Sequence, residues 1–423
     1  MTTFEAEVFQ NEYLPSGANT VDAVVTVTAG PGGTTAITSG LVEVIVIDTS
    51  GSMSEDGGAK IRAARAATVA AIDIIPDGVE FAVVSGTEVA RSLYPRLGLA
   101  TASPQTRSEA QYIVERVRPD GGTAIGSWLN AAASLFAMRP QAIRHCLLLT
   151  DGKNQHESPE VLDAAIQRCI GKFQCDARGL GTDWNINELR KVSTALLGTV
   201  DIIPRPEDME AEFRSIMGAA MTKQVGNVAL RLWSPKGAHI EFVKQVAPTL
   251  EDLSGKAEAV NALTNDYPLG AWSDQESRDY HLRVQLPPGN VGDERLAARV
   301  MLSVDGEEQP VALVRAVWTD DSALSTRINR AVAHYTGQAE LAGAIHDGLA
   351  ARQQGDEANA TMKLGRAVQL AHEAGNDDTV RLLQKVVEVD DPATGTVRLK
   401  REIEAADEMA LDVRSTRTVR VNK

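Results

Sequence analysis

The stretch "LVEVIVID" (Leu41–Asp48) limits the fold of this chain more than any other. Its apolar residues run almost without alternation, the composition of a strand covered on both faces. Such strands belong to parallel sheets, whose neighbours must be joined by crossovers, usually helices. The following residues supply them. Helical periodicity is expected over 59–75, with Ile61, Val69, Ile72 and Ile75 near one face. Further helices are expected over 108–117, 124–137, 159–172, 185–196 and 206–220. Strands are expected over 79–86, 145–152, 173–181 and 199–204. The alternation over 41–222 predicts an α/β domain, a doubly wound and mostly parallel sheet with helices on both faces.

The flanks read differently. Residues 1–40 are β-rich, with "VDAVVTVTA" (21–29) as a strand and "GPGG" (30–33) as a turn. Residues 223–320 carry short strands and Pro/Gly turns, and "HLRVQL" alternates as an antiparallel strand should. The N-terminal strands have no partner nearby in sequence. They are expected to pair with 223–320 in an all-β sandwich into which the α/β domain is inserted. Residues 321–411 read as a helical hairpin or bundle, with Ile328, Val332, Tyr335, Ala339, Ala342, Ile345 and Leu349 at helical spacing. No second copy at a fixed period supports a tetratricopeptide array. Residues 412–423 form a basic tail. For 423 residues, about three domains is the ordinary count.

The chemistry gathers where strands end. Asp48, Ser50 and Ser52 stand at alternate positions where the buried run breaks into a turn. Ligands bind beyond the carboxyl edge of open α/β sheets. One carboxylate and two hydroxyls form a hard-oxygen cradle of low charge, suited to Mg²⁺ with several retained waters. Thr123, after Gly121–Gly122, and Asp151, in "LLLTDG", belong on the same edge. Singly, each has a plainer reading as a helix cap or turn residue. In this order, on these elements, they point to one metal site.

With "DTSGS" (48–52), Thr123 in "GGT" and Asp151 in "LLTDG", the region 41–222 resembles the von Willebrand factor A domain family. The resemblance implies a doubly wound sheet with one antiparallel edge strand and a metal-ion-dependent adhesion site, MIDAS. It implies Mg²⁺ (Mn²⁺ or Ca²⁺ as alternatives) held by Asp48, Ser50, Ser52 and Thr123, with Asp151 often acting through water. One coordination position is left for an Asp or Glu of a protein partner. Met53, Glu55, Asp56, Asn154, His156 and residues 179–184 are rim candidates for tuning that partner. The β-sandwich plan is similar to bacterial A-domain proteins in architecture only.

A net charge of −15 argues against a nucleic-acid binder, and no apolar stretch is long enough for a membrane span. Three cysteines in no metal or disulfide pattern, and an N-terminus unlike a signal peptide, lead to an expected cytoplasmic location. The chain lacks a phosphate-binding Gly-Lys-Ser/Thr loop, a His-Glu-x-x-His and a Gly-x-Ser-x-Gly. The expected role is therefore a non-catalytic, metal-dependent protein-interaction module in a signalling or stress-response complex. An accessory role beside an AAA+ ATPase is the alternative, and a metal-dependent hydrolase is a third reading. In the tail, Thr416 and Thr418 lie among arginines, with Val421 three residues after Thr418. That pattern resembles a phosphothreonine ligand of a forkhead-associated domain, with a Ser/Thr kinase and a PP2C-type phosphatase as associated partners. A terminal strand or mobile tail is the other reading.

Overall fold

In a computed structural model, which describes residues 3–30 and 40–421, Leu41–Asp48 is the central strand of a sheet, and each of its residues is buried. The sheet order is Val200–Ile203, Gln174–Leu180, Ile143–Thr150, Leu41–Asp48, Glu80–Gly86, Arg91–Tyr94. Neighbours are parallel except the last pair. Arg91–Tyr94 is the antiparallel edge strand that the family resemblance implied. Its "RSLY" starts with two exposed polar residues and buries only Tyr94, so no apolar run announces it.

Helices Glu55–Asp73, Pro104–Val114 and Met209–Met221 share a core with Ile45, Ile47, Phe81, Val83, Leu147 and Leu149. Helices Ile125–Phe136, Pro159–Cys169 and Ile186–Ala195 form the second layer. One helix start differs from expectation and another agrees with it. The helix expected at 108 starts at Pro104, where Ser103 and Thr106 cap it reciprocally. Asp56, Gly57 and Gly58 hold positive φ of 54°, 65° and 78°, so the regular helix begins after Gly58. That turn carries the chain from the site loop into the helix.

Ala36–Gly226 forms one unit; Met1–Thr35 with Asn227–Lys423 forms the other. In the second unit, Thr20–Ala29 pairs antiparallel with Ser277–Gln285, from Thr20 opposite Gln285 to Thr28 opposite Ser277. Phe4–Gln10 adds on one side, and His239–Ala247 pairs with the far edge of Ser277–Gln285. A six-stranded sheet, which includes Lys223–Trp233, Glu294–Val304 and Glu307–Trp318, completes the sandwich. Val21, Val25, Val27, Tyr280, Leu282 and Leu230 are fully buried, and Phe4 meets Trp272 edge-on at 5.4 Å. The turn expected at 30–33 lies, beyond Gly30, outside the described residues.

The 321–411 expectation needs a correction. Arg330–Gln353 and Glu357–Ala374 do form a helical pair, and Asp377–Val386 packs beside it around a core that includes Leu341, Ile345, Leu364, Val368 and Leu383. The helical reading of "VVEVDD" fails, because Val387–Asp391 and Thr396–Leu399 form a hairpin. Val387 and Val389 alternate with acids, which favours a strand. Asp391 closes the turn by accepting from the Ala393 amide and the Thr394 hydroxyl. The turn reaches the helix because Gly365 and Gly395 lack side chains where their backbones meet. Helix Ala405–Arg414 follows.

The last described residues are docked rather than loose. Leu250 N–H donates to Thr416 O (2.7 Å), and Thr418 N–H to Pro248 O (3.1 Å). The Thr418 hydroxyl donates to Val246 O at 2.6 Å, and His334 Nε2 donates to Val419 O at 2.7 Å. A negatively charged group at Thr418 would face carbonyl oxygens, which are also acceptors. Thr418→Glu is therefore expected to release this segment and speed tryptic cleavage after Arg417 and Arg420. Thr418→Ala, which loses about 1 kcal/mol of hydrogen bonding, should leave it mostly protected. Equal cleavage of both variants would contradict this.

Candidate metal centre

The five residues expected to form the site converge at the carboxyl edge of the α/β sheet. Asp48 ends its strand fully buried, and its Oδ1 accepts from Ser50 N–H at 2.8 Å. That bond turns the chain and brings Ser50 Oγ within 3.0 Å of Ser52 Oγ. Ser52 Oγ–H then donates to Oδ1 of Asp151 at 2.6 Å. Gly152 lies between the third strand end and the hydroxyls. A Cβ built on it would be 3.6 Å from both Ser52 Oγ and Thr123 Oγ1. Asp48, Ser50, Ser52, Thr123 and Asp151 thus surround one small volume.

Backbone bonds lace the contributing loops together. Gly51 N–H donates to Gly121 O at 2.9 Å, and Asp120 N–H to Thr49 O at 2.8 Å. Gly121 has φ of +77°, which favours glycine, and the His156 ring occupies the space a Gly122 side chain would need. Thr123 is locked from both sides: its N–H donates to His156 Nδ1 (3.1 Å), and its carbonyl accepts from His156 N–H (3.0 Å).

These bonds assign local jobs to several rim candidates. Asn154 Oδ1 accepts from Ile125 N–H, and so caps the helix after Thr123. His156 positions Thr123. Met53 is fully buried and belongs to the core beneath the loop. Trp184 is buried, and its ring fills the space beside Gly179. Glu55, Asp56 and Asp183 remain at the solvent side.

Two participants escaped the sequence reading. Thr150 is buried, and its hydroxyl donates to Asp48 Oδ2 at 2.6 Å. Lys60 Nζ donates to Asp151 Oδ2 at 2.8 Å. The available signal for Lys60 was a lone charge on the buried stripe with Ala64, Ala67 and Ala71.

The donor set fits a hard divalent cation. Asp48 and Asp151 are both fully buried, and Lys60 balances only one of them. Burial pushes the Asp48 carboxyl up to about 6 against the hydrogen bonds that favour its charged form. A buried charge without a counter-charge is costly, and a bound cation removes that cost. Hydroxyls and carboxylates are the ligands Mg²⁺ and Ca²⁺ prefer. No group of three His, Cys, Asp or Glu arranged for a metal occurs among the described residues. A cavity of about 570 Å³ lies in the other unit, but Glu7, Glu12 and Asp279 there face Arg327, Arg330 and Arg420, and the mixture favours no ligand charge.

Comparison with known proteins agrees with the fold. The family model described as "von Willebrand factor type A domain" matches residues 43–202, and "von Willebrand factor type A C-terminal domain" matches residues 369–415. The chain is similar to the structure of a von Willebrand factor type A protein from Catenulispora acidiphila. Identity is 51%, coverage is 99% of this chain and 98% of that one, and the TM-score is 0.93. The fold alone is shared with the ArnB paralog VWA2 from Sulfolobus acidocaldarius, at 14% identity, coverage of 98% and 99%, and a TM-score of 0.56. The same is true of the human COPII-coat protein Sec24c, at 9% identity, coverage of 94% and 60%, and a TM-score of 0.53. No curated protein matches. The chain belongs to the von Willebrand factor type A family. Domains of this family are commonly metal-dependent protein-interaction modules and usually non-catalytic. Among the described residues, no helix is long and apolar enough to cross a membrane.

Proposed function

We propose that this protein is a non-catalytic, metal-dependent interaction module whose MIDAS-type site grips a carboxylate on a protein partner. Asp48, Ser50, Ser52 and Thr123 would hold the ion, and Asp151 would steady Ser52 and act from outside direct coordination. Mg²⁺ is the first choice, with Mn²⁺ or Ca²⁺ able to use the same oxygens. The ion supplies an electrophilic position at the rim that takes the partner's Asp or Glu. The observation that carries this reading is the convergence of two fully buried carboxylates and three hydroxyls beside a single ammonium group.

A serine-nucleophile hydrolase gains no support from His156. Its Nδ1 accepts from the Thr123 amide, and no hydrogen bond joins its ring to Ser50 or Ser52 among the described residues. The cellular setting we propose is a bacterial cytosolic signalling complex with a Ser/Thr kinase, a PP2C-type phosphatase or a forkhead-associated protein. The three free, buried cysteines accord with a reducing compartment. Phosphorylation of Thr416 or Thr418 would then act by freeing the docked C-terminal segment, since the Thr418 hydroxyl is engaged in its docked state.

The test is capture from native lysate with Mg²⁺ against EDTA, wild type beside Asp48→Ala. Partners retained only by wild type with metal are expected. A co-captured AAA+ ATPase would select the accessory-subunit alternative. Partners indifferent to both changes would overturn the metal bridge.

A further inference from the structure

Lys60 is the charged residue that the hydroxyl-and-carboxylate motif leaves unexplained. Its Nζ lies 2.8 Å from Asp151 Oδ2, 3.0 Å from Glu55 Oε2 and 4.0 Å from Asp183 Oδ2. Its side chain is only 9% exposed, whereas those of Glu55 and Asp183 are 61% and 74% exposed. The ammonium therefore points inward at Asp151, and the two outer acids hold it from the solvent side. Both oxygens of Asp151 are engaged: Oδ1 accepts from Ser52 and Oδ2 from Lys60.

We propose that Lys60 determines the specificity of the site, by holding Asp151 out of direct coordination and cancelling its charge so that the bound ion still demands a partner's carboxylate. The inference rests on the metal-site reading above. The charge balance explains the consequence. A divalent ion beside Asp48 and Asp151 alone would be neutralised. With Lys60 present, the buried cluster keeps one net positive charge when the ion is bound. Glu55 and Asp183 face water, so screening weakens their effect on the ion more than on the ammonium they touch. The site thus gives up some metal affinity in exchange for carboxylate affinity. A lysine that only supported the helix would produce no such opposition.

The full chain can be tested with Mn²⁺ as the probe ion and acetate as the probe carboxylate. Mn²⁺ affinity is read by electron paramagnetic resonance, and acetate binding to the loaded protein by water-proton relaxation. Lys60→Met is expected to bind Mn²⁺ about tenfold more tightly and acetate about tenfold more weakly, the order of effect of one charge a few ångströms away at partial screening. Lys60→Arg keeps the charge and should stay near wild type. Lys60→Gln can still donate to Asp151, and it reads the same loss of charge if Lys60→Met fails to fold. Unchanged or weaker Mn²⁺ binding in a folded neutral variant would overturn the proposal, as would tighter Mn²⁺ binding with acetate unaffected. Failure of the wild type itself to bind Mn²⁺ would overturn the metal-site reading and this inference with it.

Discussion

His145→Leu is expected to remove about 3–5 kcal/mol from the stability of the α/β unit, because it strands a buried carboxylate. Glu43 lies inside the central strand with no exposure, and its only described counter-charge is the imidazole of His145, 2.7 Å from Oε2. The other ring nitrogen is 2.9 Å from Asp176 Oδ2. The trio sits near the starts of three neighbouring strands, away from the carboxyl edge that carries Asp48. Burial alone would push the imidazole down, but Glu43 and Asp176 on either side raise it to about 10. Asp176 is held below its ordinary range: burial opposes its charge, and the hydrogen bond and charge of His145, the charge of Arg178 and the Thr199 hydroxyl together more than offset that. Burial pushes Glu43 up.

The sign follows from the raised histidine. Its contribution to stability is complete below its ordinary value of 6.5 and is lost as pH rises toward about 10. Wild type should therefore lose stability between about pH 7 and 10, and His145→Leu should lack that slope. Hydrogen exchange of the Val44–Ile47 amides reports this unit separately from the other. The double change Glu43→Leu/His145→Leu should recover much of the loss, since a well-packed apolar pair can replace a buried ion pair. A single variant as stable as wild type would show that the trio carries no net stabilisation.

Asp48→Asn is expected to separate metal binding from folding. Asparagine keeps an oxygen to accept the Ser50 amide and supplies an amide N–H toward Thr150, so the loop geometry should survive. It also deletes a buried negative charge that, among the described residues, hydroxyl and amide donors support. Metal-free Asp48→Asn should be as stable as wild type or more so, by up to about 3 kcal/mol. Saturating Mg²⁺ should stabilise wild type by about 2.7 kcal/mol at one hundred times its dissociation constant. It should leave the variant unmoved. Thermal melts with Mg²⁺ and with EDTA measure both effects. An equal Mg²⁺ shift in both proteins would remove Asp48 from the site.

Much of this was legible from local signals. An unbroken apolar run announces a strand buried on both faces, and in the 41–222 region each such run had a helical partner. The site motif was legible because the parallel topology sends the ends of Leu41–Asp48 and Ile143–Thr150 to the same edge. Less legible was anything that depends on contacts distant in sequence. Lys60 looked like one more helix lysine; only the approach of Asp151, 91 positions away, makes it part of the site. His145 read as a strand residue until Glu43 and Asp176 flanked it across the sheet. "VVEVDD" could have continued a helix, and the register of Val387 to Leu399 decides otherwise.

The order of strands and helices in the α/β unit, and the five oxygen-bearing residues at its edge, follow from the chain's own periodicity and turn chemistry, which act over a few residues. The counter-charges, the docking of Thr418 and the choice of Ser277–Gln285, among the strands of 223–320, as the partner of Thr20–Ala29 come from tertiary structure. Each joins groups whose separation along the chain leaves no local trace, and each is settled by burial: a charge or backbone group removed from water must find its partner wherever the fold brings one.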